Sequence, residues 1–128
     1  MLVLVVEDDR SVRETIGVVL GAFAHEVVLA SGGDSALEAL RSGSRWPDAL
    51  LLDLKLQGET GEQVYQRILD QFGKVPPTVV ISAVVEGAER AAHMPKGVRF
   101  LAKPYTVDEL LAVVEQAGLA GFSSSKSA

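Results

Sequence analysis

The sequence predicts an α/β domain built on a parallel sheet with helices on both faces. Three observations predict it. Short apolar runs recur five times, at residues 2–6, 27–30, 49–52, 78–81 and 98–101. They are nearly continuous in Val, Leu and Ile, as parallel strands covered on both faces require. Between and after them lie segments whose apolar residues recur at helical spacing.

The first helix lies between the first two runs, where Val12, Ile16, Val19, Leu20 and Phe23 make one apolar face. The second spans residues 34–41, turns Leu37 and Leu40 inward and stops at Ser42-Gly43. In the third, Val64, Ile68 and Phe72 share a stripe, Thr60 and Gln63 form a capping box, and Gly73 ends the helix. A shorter fourth helix is predicted over residues 84–95. The fifth begins after Thr106, which pairs with Glu109 in a second capping box, and its apolar face is Val107, Leu110, Leu111, Val114 and Ala117. From Gly118 the chain becomes small and Ser-rich, so residues 1–118 are expected to form the domain and 119–128 a flexible tail or linker. The alternation implies right-handed crossovers.

Composition narrows the function. The 128 residues are 48% hydrophobic and 23% charged, enough apolar material for one core. Twelve basic against seventeen acidic side chains give a net charge of -5, and no basic patch favours nucleic acid. The absence of cysteine excludes disulfides, Cys-ligated zinc and thiol catalysis. No apolar run approaches the roughly 20 residues of a membrane span, and the apolar start lacks a basic leader and runs into acids. A cytoplasmic domain without membrane insertion is expected.

In open parallel sheets, ligands sit beyond the carboxyl ends of the strands. There the chain places Glu7-Asp8-Asp9, then Asp53, Ser82, and Lys103-Pro104. Several carboxylates, one hydroxyl and one ammonium thus share an edge. Carboxylates that close repel unless a cation sits among them. Oxygen donors select a hard cation, and an incomplete protein set suits Mg²⁺.

On these residues the chain resembles the response-regulator receiver domains, the phosphoacceptor modules of two-component signalling, over residues 1 to about 118. The resemblance implies a flavodoxin-like single domain, a five-stranded sheet in the order 2-1-3-4-5 with five helices. It implies Asp53 as phosphoacceptor and Ser82, Lys103 and the aromatic Phe100 as catalytic and switch residues. Mg²⁺ would be held by Glu7, Asp8, Asp53 and the Lys55 backbone carbonyl, with Asp9 as a peripheral, water-mediated contact. The Lys103–Pro104 bond would be cis. A histidine kinase or histidine phosphotransfer protein would supply the phosphoryl group, and an effector would read the helix 4/strand 5/helix 5 face. The module would stand alone or belong to a longer protein such as a hybrid kinase, and would not be an enzyme acting on another substrate.

The charges agree with this chemistry. Glu7, Asp8 and Asp53 are offset by Mg²⁺ and Lys103, so the site sums to zero. An acyl phosphate on Asp53 adds about one negative charge, which the Ser82 hydroxyl would meet, opening space for Phe100 in a two-state element.

Some residues depart from the family pattern. Gln57 stands where the family usually carries proline, removing that residue's contribution to loop rigidity. Lys55 stands two past Asp53, where aspartyl phosphohydrolases on a similar sheet carry a second Asp as general acid, which argues against turnover. The intact acidic and basic set argues against a binding module that works without phosphate. Lys55 and Val84, two past Ser82, flank the approach of water and are expected to tune phosphoryl lifetime. His25 and His93 read as surface or loop residues, Trp46-Pro47 as a loop cover, and Gly32-Gly33 and residues 58–61 as turns.

Overall fold

The structure, a computed structural model, describes residues 1–127, with the side chains of all of these except residues 84, 85 and 121–127. Strands and helices alternate as β1 (Leu2–Val6), α1 (Arg10–Ala22), β2 (Glu26–Ala30), α2 (Gly33–Ser42), β3 (Ala49–Asp53), α3 (Gly61–Phe72), β4 (Thr78–Ala83), α4 (Val84–Ala92), β5 (Arg99–Lys103) and α5 (Val107–Ser127). The strands form one sheet in the order β2-β1-β3-β4-β5. Every neighbouring pair is parallel.

Successive strand residues face opposite sides of the sheet, which divides the core in two. Val3, Val5, Leu51, Val79 and Ile81 pack with Ile16 and Leu20 of α1 and Leu110 and Val114 of α5. Leu4, Val6, Leu50, Leu52 and Val80 pack with Leu37 of α2 and Val64 and Ile68 of α3. Each fully buried Leu or Ile contributes about 1.5–3 kcal/mol, so burial holds the helices to the sheet and the caps set their starts. Asp9 accepts the Val12 N–H at 3.0 Å. The two capping boxes form, Thr60 with Gln63 at 2.8 and 3.2 Å and Thr106 with Glu109 at 3.0 and 3.1 Å. Gly73 ends α3 in the left-handed region, at φ 73°, where a side chain would be strained.

Several expectations are corrected. β2 is an edge strand, and Val28 and Leu29 are exposed rather than covered on both faces. On α1 the buried residues are Ile16 and Leu20, while Val12 and Phe23 face solvent. Val107, in the first turn of α5, is likewise exposed. α4 stops at Ala92, short of residue 95, because Pro95 disfavours helical backbone at Met94. α5 continues past Gly118. There the missing side chain serves packing instead of termination: a Cβ on Gly118 would lie 2.6 Å from Met1 Sδ.

β4 and β5 extend past Ile81 and Leu101 and pair Ser82 with Ala102 and Ala83 with Lys103. Asp53 is itself a ladder residue, opposite Ile81. Four of the expected site residues, Asp53, Ser82, Phe100 and Lys103, therefore sit on strands.

Candidate functional site

Asp53 ends β3 with only 2% of its surface exposed. The next residue is fixed as well, since the Leu54 N–H donates to the Ile81 carbonyl at 3.0 Å. Glu7 follows β1, is buried, and its N–H donates to the Ala30 carbonyl. At the end of β5, Lys103 Nζ donates to Asp53 Oδ2 at 2.9 Å. The Lys55 backbone N–H donates to Asp53 Oδ1 at 2.8 Å. The Glu7 and Asp53 carboxyls share a hydrogen bond. These groups open onto a cavity of about 400 Å³ lined by Glu7, Asp8, Asp53, Lys55 and Lys103, together with Leu56 and Gln57.

Two buried carboxyls in contact cannot both ionise freely. Burial, then the hydrogen bond with Asp53 and its charge, push Glu7 up to about 8. For Asp53, burial acts to raise the pKa, but hydrogen bonds from Glu7, Lys103 and the Lys55 N–H hold it below its ordinary value. Burial acts to lower Lys103, and the Asp53 hydrogen bond and charge overcome it, so its pKa is raised. At neutral pH the pair therefore carries one proton, on Glu7, beside an Asp53–Lys103 ion pair.

The donors are all oxygen, and the shared proton is one a hard divalent cation can replace. Glu7, Asp53 and Asp8, with the nearby Lys55 backbone, thus fit Mg²⁺. Among the described residues no three acidic or histidine side chains form a ready-made cage.

The remaining expected residues take distinct places. Arg13 Nη1 donates to the Glu7 and Asp8 carbonyls at 2.9 and 3.3 Å, fixing the acidic turn from α1. Asp9 serves as the α1 cap. Ser82 is buried on β4, does not line the acidic cavity, and has no hydrogen bond to Asp53 among the described residues. Phe100 is half-buried against Gly87 of α4, where an added Cβ would lie 2.7 Å from both Phe100 Cζ and Ser82 Cβ. The Lys103–Pro104 bond is cis. The Val84 side chain lies outside the described residues.

His25 is corrected from a surface to a packed residue. Its side chain is 8% exposed, with Nε2 3.1 Å from Glu115 and Nδ1 3.5 Å from the Met1 amine. His93 is the exposed C-cap of α4. Trp46 tilts against Phe72 at 5.6 Å beneath the Lys74 ammonium, a structural clip away from the site.

Two long-range networks around the loop after Asp53 were not expected. Arg90 of α4 donates to the Leu54 carbonyl at 3.1 Å and pairs with Glu62 of α3 through Nε at 2.6 Å. That pairing holds the Glu62 carboxyl below its ordinary range. Glu59 accepts the Gly33 N–H at 3.0 Å and both its oxygens lie 3.0 Å from Arg67 Nη1. Gly33 was legible only as part of a turn.

The family model described as response regulator receiver domain matches residues 3–115. The response regulator MprA of Mycobacterium avium is 37% identical over 113 residues, 88% of this chain and 48% of that protein. MprA of Mycobacterium tuberculosis is 37% identical over 111 residues, 86% of this chain and 47% of that protein. The chain thus spans about half the length of these curated relatives. Among solved structures, the receiver domain of NtrX from Brucella abortus superposes with a TM-score of 0.78 at 32% identity, covering 90% of this chain and 96% of that one. Vibrio cholerae CheY4 has a TM-score of 0.77 at 22% identity, covering 91% and 97%, and shares the fold.

Proposed function

The chain belongs to the response regulator receiver domain family, a phosphoacceptor module of two-component signalling, and from that premise we propose that Asp53 is the residue that takes the phosphoryl group. The supporting observation is the setting of its carboxylate. It is buried at the base of an open cavity and held from two sides, by Lys103 Nζ at 2.9 Å and the Lys55 N–H at 2.8 Å.

An Asp53 oxygen attacks the phosphorus of a phosphohistidine donor. A P–O bond forms, the P–N bond breaks, and the imidazole keeps the electron pair and takes a proton. Such transfer depends mainly on positioning and charge neutralisation. The Asp53–Lys103 bond aims the nucleophile and keeps a cation beside the incoming oxygens. Glu7, Asp8 and Asp53, with the Lys55 carbonyl, would hold Mg²⁺, which when bound supplies positive charge to the phosphoryl oxygens. The Ser82 hydroxyl then meets the added charge, and its movement frees space for Phe100 on the β4–α4–β5 side.

Residues 1–118 form the receiver in this reading. The donor is a histidine kinase or histidine phosphotransfer protein in the cytoplasm, and the effector reads the α4–β5–α5 face. Acetyl phosphate with Mg²⁺, followed by intact mass, tests the assignment. One added phosphoryl group is expected on the natural protein and none on folded Asp53→Asn. Equal labelling of the variant refutes it.

A further inference from the structure

The segment between Asp53 and α3, residues 54–60, contains no proline, yet its backbone makes a 2.8 Å contact with the Asp53 carboxylate. It is closed on itself by an antiparallel bridge between Lys55 and Thr60. Gly58, at φ 84°, supplies the left-handed turn between them. A bridge of one residue pair is a weak closure.

What else holds it is Glu59. Its side chain is only 22% exposed and reaches across to α2. There it accepts the Gly33 N–H at 3.0 Å and the Arg67 guanidinium at 3.0 Å, while Arg67 Nη2 also holds Asp34 at 2.6 Å. The seat exists because residue 33 is glycine. A Cβ there would fall inside contact distance of both Glu59 Oε1 and Arg67 Nη1.

We propose that Glu59, seated in the Gly33–Arg67 cradle, is a positioning residue that fixes the Lys55 backbone against Asp53. It touches neither phosphate nor metal. This rests on the Asp53 reading above, because Lys55 is useful only if Asp53 is the acceptor. The cradle acts at a distance: Glu59 pins the far strand of the turn to α2, and the Lys55–Thr60 bridge passes that restraint to the residue beside Asp53.

The test uses the full chain labelled with ¹⁵N. Hydrogen exchange at the Lys55 amide is measured without metal, and Mg²⁺ is then titrated against the Glu7, Asp53 and Lys55 amides. In Glu59→Ala and Gly33→Ala, Lys55 exchange should speed and Mg²⁺ affinity weaken, each about tenfold, the range for partners that orient metal ligands. Core amides such as Leu51 and Val79 should keep their protection. Glu59→Gln, whose amide oxygen can still accept from Gly33 and Arg67, should behave as the natural protein. Gly33→Ala guards against a folding failure in Glu59→Ala, since it favours helix while displacing only flexible side-chain ends. Unchanged Lys55 exchange in both variants overturns the inference, as does core exchange that rises in step with Lys55. If the natural protein shows no Mg²⁺ response, the metal reading falls, and the metal-free Lys55 exchange still decides the role of Glu59.

Discussion

Mg²⁺ binding should compete with a proton at this site, and the structure sets how strongly. Glu7, buried against Asp53, is pushed up to about 8, whereas Asp53 is held below its ordinary value and is already ionised at neutral pH. A cation using both must displace the Glu7 proton. At pH 7 about nine-tenths of Glu7 is protonated, so each bound ion should release about 0.9 proton. Lowering the pH from 7 to 6 should weaken apparent affinity about ninefold, and raising it from 7 to 8 should strengthen it about fivefold.

Calorimetric titration with MgCl₂ in two buffers of different ionisation enthalpy counts the protons directly. Glu7→Gln should bind more weakly, release almost none and lose the slope. Affinity that stays flat between pH 6 and 8, or a slope that survives Glu7→Gln, refutes the reasoning. The same titration bears on metal-free stability. With the folded value raised above 4.5, the Glu7 contribution is complete below 4.5 and is lost as pH rises through about 8. Saturating Mg²⁺ should offset that loss at the alkaline end.

Gly87→Ala should destabilise the protein by about 1–3 kcal/mol despite alanine's better helix propensity, because the new Cβ meets Phe100 and Ser82; a urea midpoint at or above the natural one counts against this packing. Glu62 is held below its ordinary 4.5 by Arg90, so the pair contributes above 4.5 and its contribution fades as pH falls through the depressed value. The stability gap between the natural protein and Arg90→Met should therefore narrow on acidification, by about 1 kcal/mol or less for a partly exposed pair; a gap that widens rejects the assignment. Phosphate on Asp53 should also outlast that on a Lys55→Asn, Val84→Glu double variant, which restores polar partners for an attacking water. First-order decay without kinase measures it, and equal or faster loss from the natural sequence rejects the shielding argument.

How much was legible in the sequence depends on the range of the interaction. The capping boxes at Thr60 and Thr106 were readable because donor and acceptor lie three residues apart. The central strands were readable because burial on both faces leaves an unbroken apolar run. The convergence of Glu7, Asp53 and Lys103 was readable because each adjoins such a run, and parallel strands bring their ends together; Ser82 adjoins one too but does not line the cavity they share. β2 misled for the same reason: its run is apolar, but the sheet order puts it at an edge, which no local pattern encodes. Gly118 has the composition of a stop and the surroundings of a contact. The Glu59–Gly33 and Arg90–Leu54 bonds span 26 and 36 residues, so neither leaves any spacing to find.

Arg90 carries one more consequence. A single guanidinium joins α4 to the Leu54 carbonyl, next to Asp53, and the same group grips α3. Whatever prefers one placement of α4 must therefore alter the free energy of that carbonyl contact, and with it the setting of Asp53. Linkage makes such an effect mutual. A molecule that grips α4 more tightly once Asp53 is modified must, by the same factor, make the modified state easier to reach. On this geometry the reader of the signal also helps to write it.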